Sequence, residues 1–198
     1  MSSLVVIDLG LGNLGSVLQA LKRAGGAPQL SSNPLGLANA SRIVLPGVAA
    51  FGLGMERAAR FRDALVRALA RSVPVLGICL GMQILFEEGD EDGTRTGLGL
   101  LPGRVTRLPP GVQVPHIGWQ RLEPTAASAL VDPRAPGWAY FANSYRCEAP
   151  AEIVSAVVHH GSVPIAAVVQ KGSLFGVQHH PEKSARDGED LLRRFLAQ

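Results

Sequence analysis

The chain has 198 residues, 46% hydrophobic and 18% charged, with a formal net charge of +3. That length supports one domain with a substantial core, and the scattered basic residues with few aromatics leave no nucleic-acid footprint despite a pI of about 9.2. Two cysteines are too few for a disulfide framework and fit a reduced, cytoplasmic setting; no apolar run approaches membrane-spanning length, and with no basic leader before Leu4 no signal peptide is expected.

Residues 4–7 read as a first strand, followed by the Gly-rich loop Asp8-Leu9-Gly10-Leu11-Gly12-Asn13. Leu14, Val17, Leu18 and Leu21 share one helical face, and Gly25-Gly26 stops that helix. Gly10, Gly12 and Gly15 match the Gly-x-Gly-x-x-Gly spacing of a dinucleotide site. No acidic partner for a ribose follows at the expected distance, so a tight loop at the functional edge of a sheet is the better reading. Residues 42–45 form a second strand ending in the turn 46–52, where the Gly47–Val48 peptide could present an N–H to a ligand. Residues 55–71 read as one amphipathic helix, with Ala58, Phe61, Leu65 and Leu69 inward and the arginines in solvent.

The next unit organises the chain. Residues 73–78 are an apolar run of the kind a sheet buries on both faces. Gly77 and Gly81 then flank Cys79 two residues away on each side. Gly-x-Cys-x-Gly has the form of a nucleophile elbow, in which small neighbours let a strained turn project one side chain above the sheet. A helix through Phe86 is expected to follow, with Cys79 at its N-terminus, where free N–H groups favour a thiolate. A buried structural cysteine is the alternative. Alternating strands and helices up to this point imply an α/β fold with a mostly parallel sheet, helices on both faces, and ligands beyond the carboxyl ends of the strands.

Residues 87–96 read as an acidic surface loop, and 97–101 and 104–108 as strand and turn material. Pro115-His116-Ile117-Gly118-Trp119-Gln120 is compact and aromatic. Residues 138–145 read as a strand ending in polar groups. Residues 153–159 and 165–170 form a hairpin about Gly161-Ser162, 174–178 is another strand and 189–196 a terminal helix, so the second half adds consecutive, antiparallel strands. The base candidate lies in Gln178-His179-His180-Pro181-Glu182-Lys183. Pro181 biases His180 to an extended conformation, in which side chains two apart share a face. Glu182 could then orient the His180 ring, while His179 points the other way. A metal site is a poor reading of two adjacent histidines without further suitably spaced ligands; a solvated histidine pair is the stronger alternative.

The segments 77–83 and 176–184 together resemble the triad, or class I, glutamine amidotransferases. The resemblance extends along the chain through Ile7-Asp8-Leu9-Gly10-Leu11-Gly12-Asn13-Leu14, Leu45-Pro46-Gly47-Val48, Pro115-His116-Ile117-Gly118-Trp119 and Tyr140-Phe141. Within that class it is similar to the glutaminase subunits of imidazole glycerol phosphate synthases. The resemblance implies one flavodoxin-like domain over 1–198. It implies Cys79 as nucleophile, His180 as base and Glu182 as its orienting partner, an oxyanion hole from Gly47, Val48 and Leu80, and glutamine held by Gln83, Glu91, Ser144 and Tyr145. It further implies ammonia transfer to a (β/α)₈-barrel synthase subunit of a heterodimer, with Asn13, His116, Trp119, Gln120 and Lys183 facing the barrel. Neither metal nor cofactor is called for. Glutaminase activity is expected to be low alone and stimulated by the synthase and its nucleotide. Ala49, Gln120, Asn143 and His179 depart from the family's usual glycine, asparagine, histidine and phenylalanine. Two other readings stay open: a glutaminase serving pyridoxal phosphate or anthranilate synthesis, and a catalytically silent binding subunit on the same fold.

Overall fold

The computed structural model describes residues 3–198. In chain order the elements are β1 (Leu4–Ile7), α1 (Leu14–Arg23), β2 (Pro28–Ser31), β3 (Arg42–Gly47), α2 (Phe51–Ala58), α3 (Arg62–Ala70), β4 (Val75–Cys79) and α4 (Leu80–Gln83). There follow β5 (Glu88–Gly89), β6 (Arg95–Thr96), β7 (Arg104–Arg107), β8 (His116–Arg121), β9 (Glu123–Pro124), β10 (Trp138–Asn143) and β11 (Tyr145–Glu148). The chain closes with β12 (Val154–His160), β13 (Val163–Lys171), β14 (Leu174–Val177) and α5 (Ala185–Leu196).

The main sheet runs in the order β2-β1-β3-β4-β14-β13-β12-β9. Strands β2 to β14 pair in parallel, and β13, β12 and β9 continue antiparallel, as the two halves of the sequence imply. The central strands are apolar throughout because both faces are covered. Leu4, Val6, Val44, Leu76 and Ile78 enter one core with Val17, Leu21, Leu191 and Phe195 of α1 and α5. Val5, Ile7, Ile43, Leu45 and Val75 enter the other, with Phe51, Ala58, Ala64 and Leu65 of α2 and α3. A two-stranded ribbon, β8 with β10, and a small sheet, β11-β7-β5-β6, stand beside the main sheet.

Several elements differ from the sequence-based expectation. The single helix over 55–71 is two helices joined by a 3₁₀ turn at Ala59–Phe61, and it starts earlier, at Phe51, where the Glu91 carboxylate accepts the Phe51 N–H at 2.5 Å. The helix expected through Phe86 is one turn long. Its last residues leave it because the Ile84, Leu85 and Phe86 carbonyls accept N–H groups of Leu98, Leu100, Leu101 and Gly99 instead. Residues 97–101 supply those bonds as a loop, not as a strand. The acidic segment 87–96 holds the two-residue strands β5 and β6. Strand β2 escaped notice because it begins with a proline and lies at the sheet edge, half-exposed, without the apolar alternation that marks a strand.

Candidate active site

Sheet order decides what meets at the site. Strands β1, β3, β4 and β14 are neighbours with a common direction, so the loops at their carboxyl ends share one edge. Gly47 pairs with Cys79 in the β3–β4 register, and Val177 with Ile78 in the β14–β4 register. Gln178 therefore emerges beside Cys79, and His180 follows two residues on.

Cys79 has φ 53° and ψ −112°, a left-handed conformation that side chains rarely adopt. The flanking glycines explain how the turn is accommodated. A Cβ at Gly77 would lie 2.6 Å from the Gly81 carbonyl oxygen, and one at Gly81 would overlap the Leu45 carbonyl oxygen. The elbow is thus clamped between β3 and its own exit, and the position of Cys79 rests on backbone contacts. Because α4 is a single turn, its dipole adds little, and the local N–H groups carry any stabilisation of charge at the sulfur.

His180 is extended at φ −101° and ψ 95°, as the following proline favours. The chain then turns into a short 3₁₀ helix, Pro181–Lys183, so Glu182 reaches back to its histidine from a turn instead of along an extended strand. Its Oε1 lies 2.8 Å from His180 Nδ1, with both side chains buried. Burial opposes a charged imidazole here. Hydrogen bonding and charge from Cys79, with the same from Glu182, outweigh it and raise the His180 pKa to about 10. A carboxylate on Nδ1 of a histidine that also feels the Cys79 sulfur is the arrangement that a nucleophile, a base and its orienting partner require.

His179 points the opposite way, as alternation requires. Its ring lies 5.6 Å from that of Phe141, its Nδ1 has no hydrogen-bond partner among the described residues, and burial, then the His180 charge, lowers its pKa to about 3. Where the resemblance implies a phenylalanine, the chain thus holds an uncharged imidazole beside the Phe141 ring.

A cavity of about 200 Å³ opens at Cys79, with Gln83, Glu91, Ser144 and Tyr145 in its wall beside Val48 and Leu80. All four residues expected to hold glutamine thus reach one cavity. Gln83 donates to the Tyr145 carbonyl at 3.3 Å and to Gln178 Oε1 at 3.1 Å, so its orientation is fixed from behind. Asn143 also lines this cavity and donates to the Tyr145 carbonyl at 3.0 Å. Ala49 is in the wall too and is not among the residues of positive φ.

The residues expected to face a partner divide. Asn13, Val48 and Lys183 border a narrow cleft that ends on His180 and Glu182. Asn13 is exposed and caps α1, accepting the Ser16 N–H at 3.3 Å. Trp119, 47% exposed, packs edge-on to Tyr140, and Lys183 Nζ stands 5.9 Å from the centre of the Tyr140 ring. Gln120 is half-buried and pairs with Ala139 in the ribbon. His116 differs from the expectation. Its ring is 1% exposed, between Phe141 at 4.9 Å and His160 at 4.2 Å, so it backs the ribbon and offers no side chain at the surface. The Gly-rich loop at Gly10 to Gly15 is structural. The Asp8 carboxylate accepts the Gly10 N–H at 2.7 Å, and a Cβ at Gly12 would stand 3.1 Å from the Val48 backbone nitrogen.

Sequence reasoning passed over Gln178, quoting it only as part of a motif. The available signal was its place two residues before His180, on the same face of an extended segment.

A family model described as glutamine amidotransferase class-I matches residues 5–198. The imidazole glycerol phosphate synthase subunit HisH of Symbiobacterium thermophilum is 46% identical over 196 residues, covering 97% of this chain and 92% of the relative. The subunit of the same name from Xylella fastidiosa is 46% identical over 201 residues, covering 99% and 98%. Among solved structures, a glutamine amidotransferase aligns with a TM-score of 0.78 at 21% identity, covering 99% of this chain and 98% of that one. PurLQS from Thermotoga maritima aligns with a TM-score of 0.78 at 20% identity over the same shares, so these two likenesses speak for the fold. No helix among the described residues is long and apolar enough to cross a membrane. With a matching family model across the chain and near full-length relatives well above 30% identity, the chain is a glutamine amidotransferase of class I and belongs to the family of HisH subunits.

Proposed function

We propose that this chain hydrolyses glutamine through Cys79, His180 and Glu182 and passes the ammonia to a (β/α)₈-barrel synthase subunit. There it would enter imidazole glycerol phosphate, with an aminoimidazole carboxamide ribotide as the second product, in histidine biosynthesis. The observation that carries the reading is the 2.8 Å contact from Glu182 to His180, with His180 in turn beside Cys79 at the strained elbow.

The geometry supports the following steps. The Cys79 sulfur, its proton passed to His180, attacks the side-chain amide carbon of glutamine. The carbonyl electron pair moves to oxygen, and the N–H groups of Leu80 and Val48 stabilise that oxyanion. Each such donor typically contributes about 3 kcal/mol to lowering the barrier. When the carbonyl re-forms, the C–N bond breaks, and His180 gives its proton to the leaving nitrogen. Water, deprotonated by His180, then attacks the glutamyl thioester, releasing glutamate and the thiol. Glu182 keeps the imidazole oriented and steadies its positive charge throughout.

Glutamine occupies the cavity walled by Gln83, Glu91, Ser144 and Tyr145. Ammonia leaves through the cleft bordered by Asn13, Val48 and Lys183, which shares Val48 with that cavity. Exposed Ile117 and Trp119 on one face of β8, with Val48 55% exposed, supply apolar surface for a water-excluding seal. Such a seal keeps ammonia from being protonated before use. Contact of a partner with Val48 would also set the oxyanion-hole peptide, which links synthase binding to glutamine hydrolysis. Pro115 to Trp119 favours this acceptor over those of pyridoxal phosphate or anthranilate synthesis, by resemblance of that segment.

Glutamate release from glutamine tests the reading, first with the chain alone and then with a cognate barrel subunit and its nucleotide. Strong stimulation is expected. Equal rates in both states would overturn the coupling, and no glutamate in either would overturn the assignment of the acceptor.

A further inference from the structure

We propose that Gln178 is a positioning residue for the nucleophile, its side-chain amide holding the Cys79 sulfur and tying it to the wall of the glutamine cavity. The inference rests on the glutaminase reading of Cys79.

Gln178 is wholly buried, held by its own N–H to the Ala167 carbonyl at 3.0 Å. Its side chain makes two contacts. Oε1 accepts from Gln83 Nε2 at 3.1 Å, and Nε2 lies 3.8 Å from the Cys79 sulfur. The direction of this chain is fixed from its far end. The Tyr145 carbonyl, 3.3 Å from Gln83, can only accept, so the Gln83 amide must present its NH₂ group there. That NH₂ group also reaches Gln178, which must answer with its oxygen. The Gln178 NH₂ group is then left for the sulfur. The assignment of both amides follows from one backbone carbonyl and needs no choice between flipped forms.

A donor aimed at sulfur discriminates between its protonation states. An N–H bond to an anionic acceptor is stronger than one to a neutral acceptor, so the amide favours sulfur without its proton. Gln178 and His180 leave the same face of one segment, two residues apart, so the sulfur is addressed by an amide donor and by an imidazole from a single element. Gln178 touches neither the reacting carbon nor the ammonia and acts only through Cys79.

Two variants separate this role from mere packing. Gln178→Glu keeps an acceptor for Gln83 and nearly the same volume but replaces the donor by a negative charge. Gln178→Met removes both bonds. The readouts are the rate of Cys79 alkylation by iodoacetamide at neutral pH, followed by peptide mass, and kcat and KM for glutamine in the complex with the barrel subunit. Alkylation should slow about tenfold in Gln178→Met and further in Gln178→Glu. kcat should fall about tenfold or more while KM changes by less than about threefold. Alkylation and kcat both within about twofold of wild type would overturn the proposal. If either variant fails to fold, the wild-type chain decides. The side-chain amide resonance of Gln178 should shift when Cys79 is alkylated, and an unshifted resonance counts against the contact. A wild-type Cys79 that resists alkylation by a chloroketone analogue of glutamine would overturn the glutaminase reading and this proposal with it, whereas a reactive wild type with unchanged variants overturns this proposal alone.

Discussion

The segment from Gln178 to Glu182 shows two faces to the molecule, and its adjacent histidines are driven in opposite directions. On the face towards Cys79, His180 meets a sulfur and a carboxylate and its pKa rises to about 10. On the face towards Phe141, His179 meets an aromatic ring and, among the described residues, no hydrogen-bond partner for Nδ1, and its pKa falls to about 3. Both rings are almost fully buried, so burial alone does not separate them. Burial disfavours the charged form at both sites, and only partners of opposite charge reverse the sign. The contrast shows how one extended segment can hold a proton for chemistry on one side and exclude it on the other.

Removing the centre of the reactive face has the largest expected effect. Cys79→Ala should lower glutamine hydrolysis by about 10³-fold or more, read as glutamate release in the presence of the barrel subunit. Retention of the wild-type rate would remove Cys79 from the mechanism. Next, Glu182→Gln takes away the charge that steadies the His180 imidazolium. A fall in kcat of roughly 10²- to 10⁴-fold is expected, together with a lowered basic pKa in the pH–rate profile. An unchanged profile would leave Glu182 a purely structural residue. The elbow beneath both depends on Gly81, and Gly81→Ala, whose Cβ would overlap the Leu45 carbonyl oxygen, should cost about 3 kcal/mol in urea unfolding.

The other face is tested by acid. A histidine unprotonated when folded is free to take up a proton at about pH 6.5 once unfolded, so His179 and His116, lowered to about 3 and about 4, favour unfolding as pH falls below 6.5. His180 has the opposite sign. Its contribution is full below pH 6.5 and is lost as pH rises towards 10. His179→Phe should therefore retain about 2 kcal/mol that the wild type loses between neutral pH and pH 5. Parallel stability curves for the two proteins over that range would contradict the buried, neutral state of His179. The smallest effect is expected at Gly12→Ala, about 1 kcal/mol, because φ is +84° there and the new Cβ presses on Val48. Stimulation by the synthase should weaken with it if that peptide forms part of the oxyanion hole.

Much of this was legible in the sequence. Alternating apolar runs and helical periodicity give the parallel half of the sheet, because strands buried on both faces carry continuous apolar runs. Cys79 and its glycines are readable because only a strained elbow needs small residues at both flanking positions. The opposed histidines follow from a two-residue repeat that Pro181 enforces. What the sequence withheld depends on tertiary partners. The helix after Cys79 ends after one turn because distant residues take its carbonyls, and no propensity of Ile84 to Phe86 foretells that. His116 lies beneath the ribbon because β8 pairs with β10 in a register that turns it inwards. Gln178 meets the sulfur only once β14 lies beside β4. Glu91 lines the cavity beside Cys79, and its bond to the N-terminus of α2 was not foreseen.

The central claim is that Cys79 carries the glutamyl group. Rapid acid quench of the complex during glutamine turnover, followed by peptide mass analysis, tests it most directly. The account predicts a glutamyl adduct on the peptide holding Cys79, absent in Cys79→Ala and depleted as turnover ends. Steady glutamate release with no adduct on that peptide, and an unimpaired Cys79→Ala protein, would contradict it.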